Sequence, residues 1–79
     1  MDNKEILDQV QLIFQDILDN DSIILTGETT ADDVDDWDSL THIQLVVTIE
    51  KHFKIKFTSK EILSWKNVGE MIDSIKMKL

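Results

Sequence analysis

A chain of 79 residues that sets sixteen acidic side chains against eight lysines has a formal net charge of -8, and it contains neither cysteine nor proline. That length holds one small core, so residues 1–79 are expected to form a single domain stabilised by packed helices, with no disulfide or cysteine-ligated metal to reinforce it. The charge repels a phosphate backbone and argues against nucleic acid as a partner; no run is long enough to span a bilayer, residues 1–11 lack a secretory signal pattern, and a cytoplasmic monomer is the expected state.

The charge is also unevenly distributed. Glu28, Asp32, Asp33, Asp35, Asp36 and Asp38 fall in one stretch without a lysine, whereas seven of the eight lysines lie from Lys51 onward. Such a molecule has an acidic end that steers basic partners.

The first element is announced by Asp2 and Glu5, spaced as a capping box, followed by Ile6, Val10, Ile13, Phe14 and Ile17 at helical intervals; they predict a helix over residues 3–18. A long stretch then runs to Trp37, broken by Gly27 and rich in threonine and aspartate, and reads as a loop pinned to the core by Ile23, Leu25, Val34 and Trp37. Long loops of this kind are uncommon in compact folds and are often functional. Residues 39–53 form the second predicted helix, with Leu45, Val46, Ile49 and Phe53 on a burial face. Lys54–Phe57 alternates like a strand but is too short and isolated for a sheet, and is read as an extended connector. Thr58 with Glu61 starts a short third helix to about Ser64, and Asn67 with Glu70 starts a fourth that carries Val68, Ile72, Ile75 and Leu79. The predicted class is all-α: a four-helix bundle with a long first loop and a short third helix.

The second helix has more apolar residues than one buried face needs. Leu40, Ile43 and Val47 make a second stripe, either a widening of the core or an exposed strip that docks a partner. Ser39 has two readings of its own. It is the helix N-cap, or Asp38 is the cap and the Ser39 hydroxyl stands free in the first turn, near unpaired N–H groups and the positive end of the helix dipole, where a phosphodiester is electrostatically favoured.

Catalysis has little support. His42 lies three residues beyond Ser39 and reads as a core-boundary helix residue, with no acidic orienter, oxyanion hole or G-x-S-x-G elbow. The aspartates do not make a calcium loop either: counted from Asp33, the sixth position is Asp38 where glycine is needed, and the twelfth is Gln44 where glutamate is needed. Trp37 and Trp65 read as structural, Trp37 anchoring the acidic loop to the second helix.

Trp37-Asp38-Ser39-Leu40-Thr41-His42-Ile43, followed by Ile49-Glu50, Phe53, Ile55-Lys56-Phe57 and Asn67-Val68-Gly69-Glu70-Met71-Ile72, resembles the acyl carrier proteins over essentially the whole chain. The resemblance implies a non-catalytic carrier whose Ser39 receives 4'-phosphopantetheine from coenzyme A through a phosphopantetheinyl transferase. The arm's thiol then carries acyl groups as thioesters to acyl-loading and acyl-transfer enzymes of fatty acid, polyketide or related biosynthesis. It further implies partner contacts at Asp38, Leu40 and Ile43, which Gln44 and Val47 extend along the helix. The sequence departs from carriers of the central fatty acid synthase, which present several glutamates on this helix; here Glu50 is the only acid between Thr41 and Lys54, which points to a dedicated carrier. The competing readings are an aminoacyl or peptidyl carrier, and an acidic helical adaptor whose Ser39 is never modified.

Overall fold

The computed structural model describes residues 2–79 as four helices in the order α1 (Asn3–Ile17), α2 (Ser39–Phe53), α3 (Ser59–Ser64) and α4 (Val68–Lys78). The described residues contain no strand, as expected of an all-α fold, and Lys54–Phe57 is an irregular connector. The α1 helix is the centre of the bundle and packs against both α2 and α4.

Each helix begins where a polar side chain can take its first amides. Asp2 accepts the Glu5 N–H at 2.9 Å, Thr58 and Glu61 form a reciprocal box, and Asn67 accepts the Glu70 N–H at 2.9 Å. The ends close without glycine. Asp19 adopts a left-handed φ of 51°, and the Asn20 N–H returns to the Gln15 carbonyl at 3.0 Å; Lys54 does the same at φ 59°, with the Ile55 N–H on the Glu50 carbonyl at 3.0 Å. Both are Schellman-type closures.

Ile6, Val10, Ile13 and Phe14 of α1 meet Leu45, Ile49 and Phe53 of α2 and Val68, Met71, Ile72 and Ile75 of α4 in one apolar cluster. The four expected pins of the long loop also reach it: Ile23, Leu25 and Val34 are buried and Trp37 packs against its side. Leu79, expected on the buried face of α4, lies beyond the last turn and is exposed, while Met71 is buried.

The long connection is more ordered than a plain loop. Gln11 and Gln15, one turn apart on α1, strap it down: Gln11 Oε1 accepts the Leu25 N–H and Gln15 Nε2 donates to the Ile23 carbonyl, both at 2.9 Å. A short 3-10 turn spans Ala31–Asp33, capped by Thr30 and Asp33. No apolar run follows that pair, so its sequence carries no helical periodicity.

The other end of the loop is fixed to α4. Val68 N–H donates to the Thr29 carbonyl at 2.9 Å and Gly69 N–H to the Gly27 carbonyl at 2.8 Å. With Asn67 capping Glu70, the first turn of α4 has its amides satisfied by groups from two parts of the chain. A Cβ on Gly69 would sit 2.7 Å from the Gly27 oxygen, a backbone atom that cannot swing away, whereas a Cβ on Gly27 would meet only ordinary contact at 3.8 Å. Gly69→Ala is therefore expected to lose stability by about 1–2 kcal/mol despite its better helix propensity, and Gly27→Ala to stay within about 0.5 kcal/mol of the parent, as read from urea unfolding midpoints.

Candidate functional site

The start of α2 is built by Asp38. Its backbone is extended, at φ -122°, and its Oδ1 accepts the Leu40 N–H at 3.0 Å and the Thr41 N–H at 2.9 Å. The Thr41 hydroxyl answers by accepting the Asp38 N–H at 2.8 Å while donating to the Asp36 carbonyl at 2.7 Å. Asp36 takes a left-handed φ of 69° to bring its carbonyl there. These bonds, led by the Thr41 N–H, hold the Asp38 carboxyl below the usual carboxylate range against a smaller opposing effect of burial.

Of the two readings of Ser39, the geometry selects the second. Ser39 is the first helical residue, it is exposed, and its hydroxyl makes no hydrogen bond among the described residues. One expectation needs correction: the neighbouring amides of Leu40 and Thr41 are not unpaired, because Asp38 accepts both. An anionic group on Ser39 would find the helix dipole already partly answered by a carboxylate.

Beside Ser39 lies a pocket of about 320 Å³ lined by Trp37, His42, Trp65, Lys66, Asn67 and Met71 among others. Trp37 forms its back wall, with its ring edge-on to Phe14 of the core at 4.9 Å between centroids and stacked near His42 at an interplanar angle of 23°. The Trp37 Nε1–H donates to His42 Nδ1 at 3.1 Å. An indole nitrogen only donates, so Nδ1 accepts and the neutral imidazole carries its proton on Nε2. Trp65 closes the far side, edge-on to His42 at 6.1 Å and to Phe57 at 4.8 Å, and its Nε1–H is held by Ser74 Oγ at 2.9 Å.

His42 is thus more than a residue at the core boundary. Its spacing from Ser39 puts it one turn along the same face, a signal the sequence does contain; its meeting with Trp65, from the α3–α4 connection, has no local signature.

The apolar strip is exposed. Leu40, Ile43 and Val47 retain 72%, 54% and 42% of their surface, Gln44 is also exposed, and the core face of α2 is formed by Leu45, Val46, Ile49 and Phe53. Ile43, Gln44 and Val47 border a groove against Asp16 and Ile17 of α1. Glu50, the acid on α2, accepts the Phe57 N–H at 2.8 Å and so belongs to the fold. A larger concavity, about 610 Å³, lies elsewhere, in the first loop around Asn20, Glu28, Asp33 and Asp35. No group of described side chains there or elsewhere has the spacing of a metal site.

Comparison with known proteins agrees with this geometry. The family described as the phosphopantetheine attachment site matches residues 8–75. Among solved structures, the solution structure of the holo acyl carrier protein from Geobacter metallireducens is similar over 91% of this chain and 83% of its own, with 49% identity and a TM-score of 0.86.

The Asp38 cap makes a pH prediction. A carboxyl whose pKa is depressed in the fold contributes stability above its unfolded pKa and loses it as pH falls through the folded value. On acidification the Leu40 and Thr41 amide resonances should therefore shift together, with a midpoint below the usual carboxylate range, and Asp38→Ala should abolish that titration in a proton–nitrogen correlation series.

Proposed function

Because the chain belongs to the acyl carrier proteins of the phosphopantetheine-attachment family, we propose that its Ser39 carries the prosthetic arm and that residues 1–79 act as one carrier domain. An acyl carrier protein is a carrier and not a catalyst. When bound, 4'-phosphopantetheine supplies a thiol that holds an acyl group as a thioester. The observation that carries the assignment to Ser39 is the division of roles at the start of α2: Asp38 caps the helix, and the adjoining hydroxyl is exposed and unengaged. The residues fit the group, since the serine lines a pocket wide enough to accept part of a flexible chain, and Lys66 is the cation among the lining residues.

The protein's own residues then divide the remaining work. Asp38, Leu40, Ile43, Gln44 and Val47 form the surface met by the phosphopantetheinyl transferase and by acyl-loading and acyl-transfer enzymes. The carboxylates of the first loop steer a basic partner toward Ser39, and the apolar strip supplies the buried contact. Tethering keeps the cargo at high local concentration once the partner has docked. Within fatty acid, polyketide or related biosynthesis, a dedicated pathway is the better reading. Past Asp38, α2 carries a single carboxylate, Glu50, one oxygen of which accepts the Phe57 N–H, so docking relies on the apolar strip more than on an acidic helix. No helix among the described residues is long and apolar enough to cross a membrane, and a cytoplasmic monomer suits a carrier that visits several enzymes.

Incubation with coenzyme A and a broad-specificity phosphopantetheinyl transferase should raise the intact mass by one phosphopantetheine, and Ser39→Ala should abolish the gain. No gain in the parent, or an equal gain in the variant, refutes the assignment and leaves the unmodified adaptor. Ile43→Glu should slow the modification by roughly tenfold or more, a loss typical of an interface anchor, while its helical circular dichroism stays that of the parent because the side chain lies outside the core.

A further inference from the structure

The exposed face of α2 does not end at Val47. Leu40, Ile43 and Val47 are followed at the same helical spacing by Lys51 and Lys54, so one stripe of the helix passes directly from apolar to cationic. Val47 borders both the groove beside Ile43 and a second one of about 260 Å³, which Glu50, Lys51, Lys54, Ile55 and Lys56 complete. Three lysines against one glutamate leave this second groove with a surplus of two positive charges, on a chain whose net charge is -8.

The fold makes little use of these cations. All three are exposed, and no ammonium among them forms an ion pair or hydrogen bond with another described residue. The negative end of the helix dipole favours a cation in the last turn, which Lys51 supplies, but its effect fades within that turn. Lys54 is also poorly placed for a lysine. It closes the helix at φ 59° and ψ 46°, a left-handed conformation that glycine adopts readily and that a side chain resists. A cation held at a glycine position, with no partner in the fold, is free to meet one outside it.

The groove is smaller than the usual small-molecule site. It suits one or two protein side chains, carboxylates for the lysines beside an apolar contact for Val47. An anionic membrane and a second copy of this chain fit less well, because the carboxylates between Glu28 and Asp38 and the net charge repel any strongly anionic body. We propose that the lysine end of α2 is a second docking point, which receives an acidic segment of the enzyme seated on the Leu40, Ile43 and Val47 strip. The inference rests on that strip being the docking surface. The partner then carries a basic patch for the loop before Ser39 and an acidic patch for Lys51, Lys54 and Lys56, separated by the length of α2, about 20 Å. Opposite charges at the two ends admit one orientation along the helix, since the reversed one sets like charges against each other at both.

The test titrates the intact protein with a capped Glu-Glu-Leu-Glu-Glu peptide and, separately, with Lys-Lys-Leu-Lys-Lys, followed by proton–nitrogen correlation spectra. The acidic peptide should move the amides of Val47, Lys51 and residues 54–56 and leave those of Lys60, Lys66 and Lys76 in place; the basic peptide should move residues 28–38 instead. Lys54→Gly and Lys51→Gln should each bind the acidic peptide roughly two- to fivefold more weakly, the loss of one exposed ion pair. The urea midpoint of Lys54→Gly should meanwhile equal or exceed that of the parent, because glycine suits the left-handed closure. A lysine with only a structural role predicts the opposite, a lower midpoint with unchanged binding. Shifts spread evenly over all lysines, or variants that bind like the parent, overturn the docking point. So do phosphatidylglycerol vesicles that move these amides where the peptide does not, which assigns the patch to a lipid surface, and shifts at both ends of α2 that grow with protein concentration alone, which assign it to a second copy. Intact mass after phosphopantetheinylation is read on the same protein: a full gain without localised shifts overturns the docking point alone, and no gain in the parent overturns the carrier reading with it.

Discussion

The crossing of Gly27 and Gly69 is the constraint on which the rest of the site depends. Two loop carbonyls, those of Gly27 and Thr29, take the first amides of α4 at hydrogen-bonding distance, and the close approach leaves no space for a Cβ on Gly69. An unpaired amide at a helix start that is shielded from water costs free energy comparable to a lost hydrogen bond. The loop is therefore tied to the start of α4 by two main-chain hydrogen bonds. From that crossing the chain can proceed only through the turn at Ala31–Asp33 to Val34 and Trp37, and both walls of the serine pocket follow. Trp37 arrives from the loop side, and Trp65, Lys66 and Asn67 arrive from the segment just before α4.

Two kinds of surface on this molecule act on different steps of an encounter. Charge acts at a distance, so the acidic loop before α2 raises the rate of approach and is weakened by salt. Burial acts only on contact, and on the proposed function the exposed Leu40, Ile43 and Val47 strip is what supplies it. Glu50 is the one carboxylate on α2, and its Oε2 accepts the Phe57 amide and stabilises the connector after Lys54. Lys51, Lys54 and Lys56 lie around the same end of the helix. The helix thus runs from an anionic end to a cationic one, a polarity that a uniformly acidic helix lacks.

Much of this was legible in the sequence because helix starts are written in side chains. Asp2, Asp38, Thr58 and Asn67 all cap helices, and the burial faces follow from spacing. The exposed strip was visible as an excess of apolar residues, but spacing alone did not say whether the core would absorb it. What escaped was written in the backbone. Carbonyls of Gly27 and Thr29 leave no side-chain signature of the amides they accept some 40 residues away, and the pairing of His42 with Trp65 depends on that crossing. The turn at Ala31–Asp33 escaped for a different reason: a Thr–Asp cap without a following apolar run looks like any polar loop.

The order Asp38-Ser39 has a physical logic that the family likeness does not by itself supply. A side chain at the cap position must turn its oxygen inward to the second and third amides, so whatever stands there is engaged. The next residue is already helical and needs no capping bond, which leaves its side chain free to face solvent. Aspartate suits the first position because it accepts both amides as an anion, and it needs no proton of its own to do so. Serine suits the second because its hydroxyl has no task in the fold and can be modified without loosening the helix. Reversing the two would engage the serine oxygen in the cap and set a bare carboxylate at the position proposed to carry the phosphodiester. The pair therefore separates stability from modification within two residues, and α2 holds its start whether or not the neighbouring hydroxyl carries an arm.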